Sequence, residues 1–245
     1  LLSGVCFAKG MSLGLKIPLI PINHLEAHIC ANFIETPALT YPFICLLVSG
    51  GHTQLWHIME RDKYHLLGET RDDASGEAFD KGARILGLGY PGGPAIEKCA
   101  VGGNSKAIEF PRALLGENNL EFSFSGLKTA LLYYMRNLDE SENNHDINDI
   151  AASYQSAIVD VLITKLKNAL ELTAINTCVI AGGVSANKIL RESAIIHLAP
   201  AKVHFPSLPL CTDNAAMVAY LGELKLIAGE NSSLSFPVLP NLSLI

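Results

Sequence analysis

This chain of 245 residues has no apolar run long enough to span a bilayer, and no signal peptide is visible, so a membrane protein is not expected and the expected compartment is the cytoplasm. It has no excess of basic residues. The net charge of −6 excludes a broadly basic nucleic-acid binder, so any RNA contact has to come from a local patch or a partner subunit. No C-x-x-C pair occurs among the six scattered cysteines. Cys45 and Cys178 sit inside apolar runs and read as reduced core residues, which fits the same compartment. There is no Walker A pattern, which argues against a P-loop enzyme. An initiator methionine is missing as well: Leu1 to Val5 read as helix interior, as in an incomplete chain. With 49% hydrophobic residues, the length suits one sizeable unit or two modest lobes.

The most informative feature present is His24-Leu25-Glu26-Ala27-His28. Residues four apart on a helix lie about 40° apart round the axis, so two neutral imidazoles can reach one divalent metal. The pair also fits one buried and one surface ring with no metal. In the metalloprotease pattern H-E-x-x-H, a Glu directly after the first His acts as base. Here Leu25 holds that position, and Glu26 lies about 200° from His24. This helix can hold a metal but cannot also supply the base.

Strands alternating with helices indicate an α/β fold. A helix is expected to about Ser12, then a short strand Lys16–Ile22 and a helix from the His pair to about Phe33. Strands follow at Phe43–Val48, at Thr53–Met59 and, much later, at Thr177–Ala181. Further helices are expected at Glu77–Leu86, Ile147–Thr173, Ser185–Ile196 and Asn214–Ala228, with a solvated linker at Asp139–Asp149.

Both buried strands run into a glycine pair. Val48-Ser49-Gly50-Gly51-His52-Thr53 and Ile180-Ala181-Gly182-Gly183-Val184-Ser185-Ala186-Asn187 let backbone N–H groups approach an anion closely, the second with Ser185 as the expected helix cap. One such turn is commonly a simple hairpin; two, in different halves of the chain, suggest a nucleotide in a cleft. Asp72 and Asp73 are expected to cap the helix that carries Glu77. Asp80 stands mid-helix before the Gly87–Gly93 stretch and suits hydroxyl hydrogen bonds from a sugar. Phe122-Ser123-Phe124-Ser125-Gly126-Leu127-Lys128-Thr129 places hydroxyls and a cation at a helix start. Thr212 or Asp213 reads locally as a cap of the last helix, yet Asp213 would also complete a 2-His-1-carboxylate set with open positions.

In order along the chain, His24-Leu-Glu-Ala-His28, Leu47-Val-Ser-Gly-Gly-His-Thr-Gln-Leu55, Asp72-Asp-Ala-Ser-Gly-Glu-Ala-Phe-Asp-Lys81, Tyr90-Pro-Gly-Gly-Pro94, Phe122–Thr129, Ala181–Asn187 and Cys211-Thr-Asp-Asn214 resemble the universal tRNA threonylcarbamoyltransferase family, TsaD and its relatives, once labelled O-sialoglycoprotein endopeptidases. The resemblance implies an actin/Hsp70-like (ASKHA) two-lobed ATPase fold. Residues 1–42, completed by a C-terminal helix within 214–245, would belong to the first lobe and 43–213 to the second. It implies transfer of a threonylcarbamoyl group from threonylcarbamoyl-AMP to N6 of adenosine 37 in tRNAs reading ANN codons. By motif position, His24, His28 and Asp213 would bind the metal, Fe2+ or Zn2+. Leu47, Val48, Ser49, Gly50, Gly51, Asp80, Gly93 and Asn187 would bind ATP or the adenylate. No general base is assignable. A paralogous TsaB-like subunit and a small TsaE-like ATPase are the implied partners, and no membrane is.

The departure from the family is at the start. Its members open with strands carrying an Asp-Thr-Ser-Cys-like phosphate loop that does not occur here, so the first lobe is expected to lack those strands. Two other readings stand beside the transferase: a metal-dependent glycoprotein endopeptidase and an inactive, truncated scaffold subunit. The position of Glu26 counts against the first and the His pair against the second.

Overall fold

A computed structural model describes residues 1–116, 119–138, 146–230, 232–240 and 242–244. Its centre is a five-stranded sheet of order β3-β2-β1-β4-β5, built from β1 (Phe43–Val48), β2 (Thr53–Glu60), β3 (Lys63–Glu69), β4 (Thr177–Ala181) and β5 (Lys202–His204). β1 pairs antiparallel with β2 and parallel with β4, with Leu47 opposite Ala181, so the two glycine turns leave adjacent strand ends. That end of an α/β sheet is where ligands collect.

All six residues of β1 are buried, and their period of two divides two cores. Ile44, Leu46 and Val48 face one core, packed with residues of α3 (Ser75–Ile85), α5 (Ser125–Asn137), α6 (Ile147–Thr173) and α7 (Lys188–His197). Phe43, Cys45 and Leu47 face the other, beneath Leu25 and Ile29 of α2 (His24–Glu35). Helix α9 (Ala215–Ile227) lies on α2 through Met217 and Leu221. The remaining helices are α1 (Leu2–Leu15), α4 (Gly92–Cys99) and the single turn α8 (Leu208–Cys211). No helix among the described residues is long and apolar enough to cross a membrane.

Several local expectations are corrected. Lys16–Ile22 is not a strand: Lys16 turns left-handed to end α1, the Ile17 N–H returns to Ser12, and Pro18 and Pro21 have no N–H to offer a ladder. Ser185 caps no helix; it lies in a 3-10 turn, Gly183–Ala186, and Asn187 caps α7 by accepting the Leu190 N–H at 2.9 Å. Neither Thr212 nor Asp213 caps α9, because Asn214 accepts the Met217 N–H at 2.8 Å. The Gly-rich stretch ends inside α4, and β3, β5 and α8 were not expected. Of the linker at Asp139–Asp149, residues 139–145 lie outside the described residues, while Ile147 already begins α6.

Asp72 and Asp73 do not cap α3, whose entry is held by Thr53 Oγ1 accepting the Ser75 N–H at 2.8 Å. Asp72 caps α5 instead, across 52 residues of sequence. Its carboxylate accepts the Phe124 N–H at 2.8 Å, the Ser125 N–H at 3.2 Å and the hydroxyls of Ser123 and Ser125. Partial burial pushes this carboxyl up, but the hydrogen bonds outweigh it and hold the pKa below the ordinary value. Asp73 ion-pairs with Lys81 at 2.8 Å.

A depressed carboxyl pKa stabilises the fold above the unfolded value, and that contribution is lost as pH falls through the folded value. Asp72→Ala is therefore expected to lower unfolding free energy by about 1 kcal/mol at neutral pH. Urea titrations at two pH values check it: the deficit should shrink below about pH 4.

Candidate functional site

Helix α2 begins where Asn23 Oδ1 accepts the N–H groups of Leu25 at 2.9 Å and Glu26 at 3.3 Å. That fixed start puts His24 and His28 on one flank, with ring centroids 4.7 Å apart. The loop between α8 and α9 brings Asp213 to them. Its Oδ1 is 3.2 Å from Nε2 of His24 and 3.2 Å from Nε2 of His28. Residues 185 apart in sequence thus meet. The three ligand atoms lie within 4.8 Å of one another.

The donor set fits a divalent ion. Bonds of about 2.0–2.1 Å to a common centre put neighbouring ligands roughly 3 Å apart, which matches the 3.2 Å separations. His28 is 3% exposed, and burial, then the neighbouring His24 ring, holds its pKa below the ordinary value, keeping the imidazole neutral with a lone pair available. Its other nitrogen, Nδ1, is buried without a hydrogen-bond partner. Asp213, by contrast, is 80% exposed, which leaves the open side of the cluster accessible to a ligand. His52, from the β1–β2 turn, joins the surroundings; burial and the His24 ring lower its pKa as well.

Beside this cluster is a cavity of about 280 Å3. Gly50, Asp80, Gly93 and Asn187 line it together, with Tyr90 and Thr212. Thr212 directly precedes Asp213, so one turn of backbone faces the cavity and presents the carboxylate to the histidines. The other expected residues are not at the wall. Leu47 and Val48 are buried in β1, one on each side of the sheet, while Ser49 accepts the Gly76 N–H through its carbonyl at 3.2 Å and Gly51 completes the hairpin. Asp80 accepts the Gly92 N–H at 2.7 Å, fixing α4 against α3. A side chain on Gly92 would drive a Cβ to 2.4 Å from Asp80 Cα, so this approach needs glycine. Asn187 Nδ2 donates to Gln155 at 2.8 Å, which locks the amide that faces the cavity.

Glu97 is the cavity carboxylate that motif reading missed. It lies on α4, hidden by the Gly-Pro stretch, and it accepts the Lys188 N–H at 3.0 Å. Tyr90 and Thr212 belonged to recognisable motifs but carried no separate signal. Glu26 sits away from the histidines, 5% exposed, as an acceptor for the Tyr64 hydroxyl at 3.0 Å. It cannot act as a peptidase base.

The sheet order is that of the actin/Hsp70-like (ASKHA) fold. HypF from T. kodakarensis superposes with a TM-score of 0.67 at 14% identity, over 91% of this chain and 39% of that one. The activator of the 2-hydroxyisocaproyl-CoA dehydratase from Clostridium difficile, solved with bound ADPNP, gives 0.51 at 13% identity, over 86% of this chain and 71% of that one. Sequence narrows the class. Residues 1–220 match the family described as TsaD: tRNA N6-adenosine threonylcarbamoyltransferase. Enzymes of that name are 51% identical in Thermosipho melanesiensis and 47% in Clostridium perfringens, each matched over the whole of this chain and over 74% and 73% of their own lengths. The chain belongs to this family of transferases acting on tRNA.

Proposed function

We propose that the chain transfers the threonylcarbamoyl group of threonylcarbamoyl-AMP to N6 of adenosine 37 in tRNAs that read ANN codons. The observation that carries this reading is the junction at Thr212–Asp213, where a cavity of about 280 Å3 and a 2-His-1-carboxylate cluster share one loop. Gly50, Gly93 and Asn187 would hold the adenylate moiety by backbone approach and a fixed amide, and Asp80 would hold the wall they stand on. The carbonyl to be attacked would then lie toward the histidines. His24, His28 and Asp213 would hold one divalent metal, Fe2+ or Zn2+, which supplies Lewis-acid stabilisation of developing negative charge. In the reaction the bond from N6 to the carbamoyl carbon forms, the anhydride C–O bond breaks, AMP leaves with the electron pair, and N6 loses a proton.

The acidic balance of the chain, −6, leaves most of the RNA grip to others. A paralogous TsaB-like subunit and a small TsaE-like ATPase are proposed as partners in the cytoplasm. Residues 1–42 with 214–245 are proposed as part of the first lobe and 43–213 as the second.

Two outcomes are expected. His24→Ala and Asp213→Ala should each lower the modified adenosine in tRNA of a complemented strain by roughly 100-fold or more, read by nucleoside mass spectrometry. Wild-type levels in either variant reject the metal role. In Gly93→Val the added side chain points into open cavity space, since a Cβ at Gly93 meets nothing within 4 Å. That variant should keep its melting temperature and bind AMP roughly tenfold more weakly by calorimetry; unchanged affinity rejects the cavity as the nucleotide site.

A further inference from the structure

Helix α2 presents four flanks to its surroundings. Counting about 100° per residue from His24, Leu25 and Ile29 centre near 120° and Ala27, Cys30 and Ala31 near 300°. The first group packs on the sheet with Trp56 and Ile58, the second on Met217 and Leu221 of α9. His24 and His28 centre near 20° and Glu26 at about 200°, so the two polar flanks are opposite each other. Helix α9 serves both. Asp213, just before its first turn, meets the histidines, while Lys225, near its last turn, reaches Glu26 at 3.4 Å. About 15 Å of helix separates Ala215 from Lys225, so α9 crosses α2 and takes hold of it on both sides. The small side chains of Ala27 and Ala31 allow the close crossing.

The second grip is largely shielded from solvent and extensively paired. Glu26 is 5% exposed and accepts the Tyr64 hydroxyl at 3.0 Å. Lys225 also approaches Asp62 at 3.4 Å and Glu230 at 3.5 Å. Burial alone would lower the Lys225 pKa; the carboxylates around it, Glu26 first, outweigh this and raise it. Burial holds the Glu26 pKa above the ordinary carboxylate value, and Lys225 and the Tyr64 hydroxyl offset this only in part.

We propose that Glu26 and Lys225 form a clamp that fixes the rotation and slide of α2 against α9, and thereby sets the His24 and His28 nitrogens against the Asp213 carboxylate. Glu26 is then a positioning residue for the metal cluster. A buried ion pair adds little net stability but defines register well, since any slide of one helix leaves a buried charge unpaired. The inference rests on the metal reading above.

The test is zinc binding to the full chain, with the melting temperature of the metal-free protein measured alongside. The double variant Glu26→Gln/Lys225→Met removes both charges and strands neither. It is expected to melt near the wild type yet bind Zn2+ roughly tenfold or more weakly, with an altered visible spectrum when loaded with Co2+. Lys225→Arg should bind zinc as the wild type does. Equal zinc affinity in the double variant and the wild type overturns the clamp and leaves the metal site standing; a wild-type chain that takes up no zinc overturns both. Should the double variant fail to fold, Glu26→Gln alone breaks the ion pair while keeping an acceptor for the Tyr64 hydroxyl, and serves in its place. Weaker zinc binding in it supports the clamp, and unchanged binding overturns it.

Discussion

The contact on which the rest depends is Asp213 Oδ1 lying 3.2 Å from two imidazole nitrogens of α2. It closes the chain: residues near the start and near the end come together on one side of the sheet. Every neighbouring feature serves that closure. Asn23 fixes where α2 begins, Asn214 fixes where α9 begins, and the apolar seam of Ala27, Cys30 and Ala31 against Met217 and Leu221 holds the two helices in contact. One buried ring stands out there: burial lowers the pKa of His28, and its Nδ1 has no hydrogen-bond partner among the described residues.

The cavity follows from different physics. Parallel pairing of β1 with β4 brings two glycine turns side by side, and Gly182, at φ +90°, allows its turn to pass close to Val48. Helix α4 closes the third side, anchored at its start by the Gly92 N–H donating to Asp80 and further along by Glu97 accepting the Lys188 N–H. A rigid wall of backbone suits a ligand recognised by shape and by a few polar contacts. Thr212 belongs to the wall and Asp213 to the cluster, so one loop joins the cavity to the donor set.

Much of this was legible in sequence where the signal is local. The apolar runs Phe43–Val48 and Thr177–Ala181 and the long period of Ile147–Thr173 appear in the fold with those same bounds. The convergence of His24, His28 and Asp213 was legible as a donor set, though only folding places it. What stayed hidden is non-local or masked by composition. Asp72 reads as a cap for the helix that follows it, yet serves one 52 residues away. Proline and glycine at 91–94 conceal α4 and with it Glu97. The edge strand Lys63–Glu69 alternates only briefly, with Tyr64 and Leu66 half-buried between exposed Lys63 and His65, before Leu67 and Gly68 interrupt the pattern. Glu26 announces its opposite flank by helical angle alone, but nothing in its neighbours names Lys225, 199 positions away, as the partner.

The most direct measurement of the central claim is anomalous X-ray scattering from crystals of the chain grown with Zn2+ or, without oxygen, with Fe2+. One peak is expected within about 2.0–2.2 Å of both Nε2 atoms of His24 and His28 and of an Asp213 carboxylate oxygen. A metal-loaded crystal with its peak elsewhere, or with His24, His28 and Asp213 joined only to one another, would contradict it.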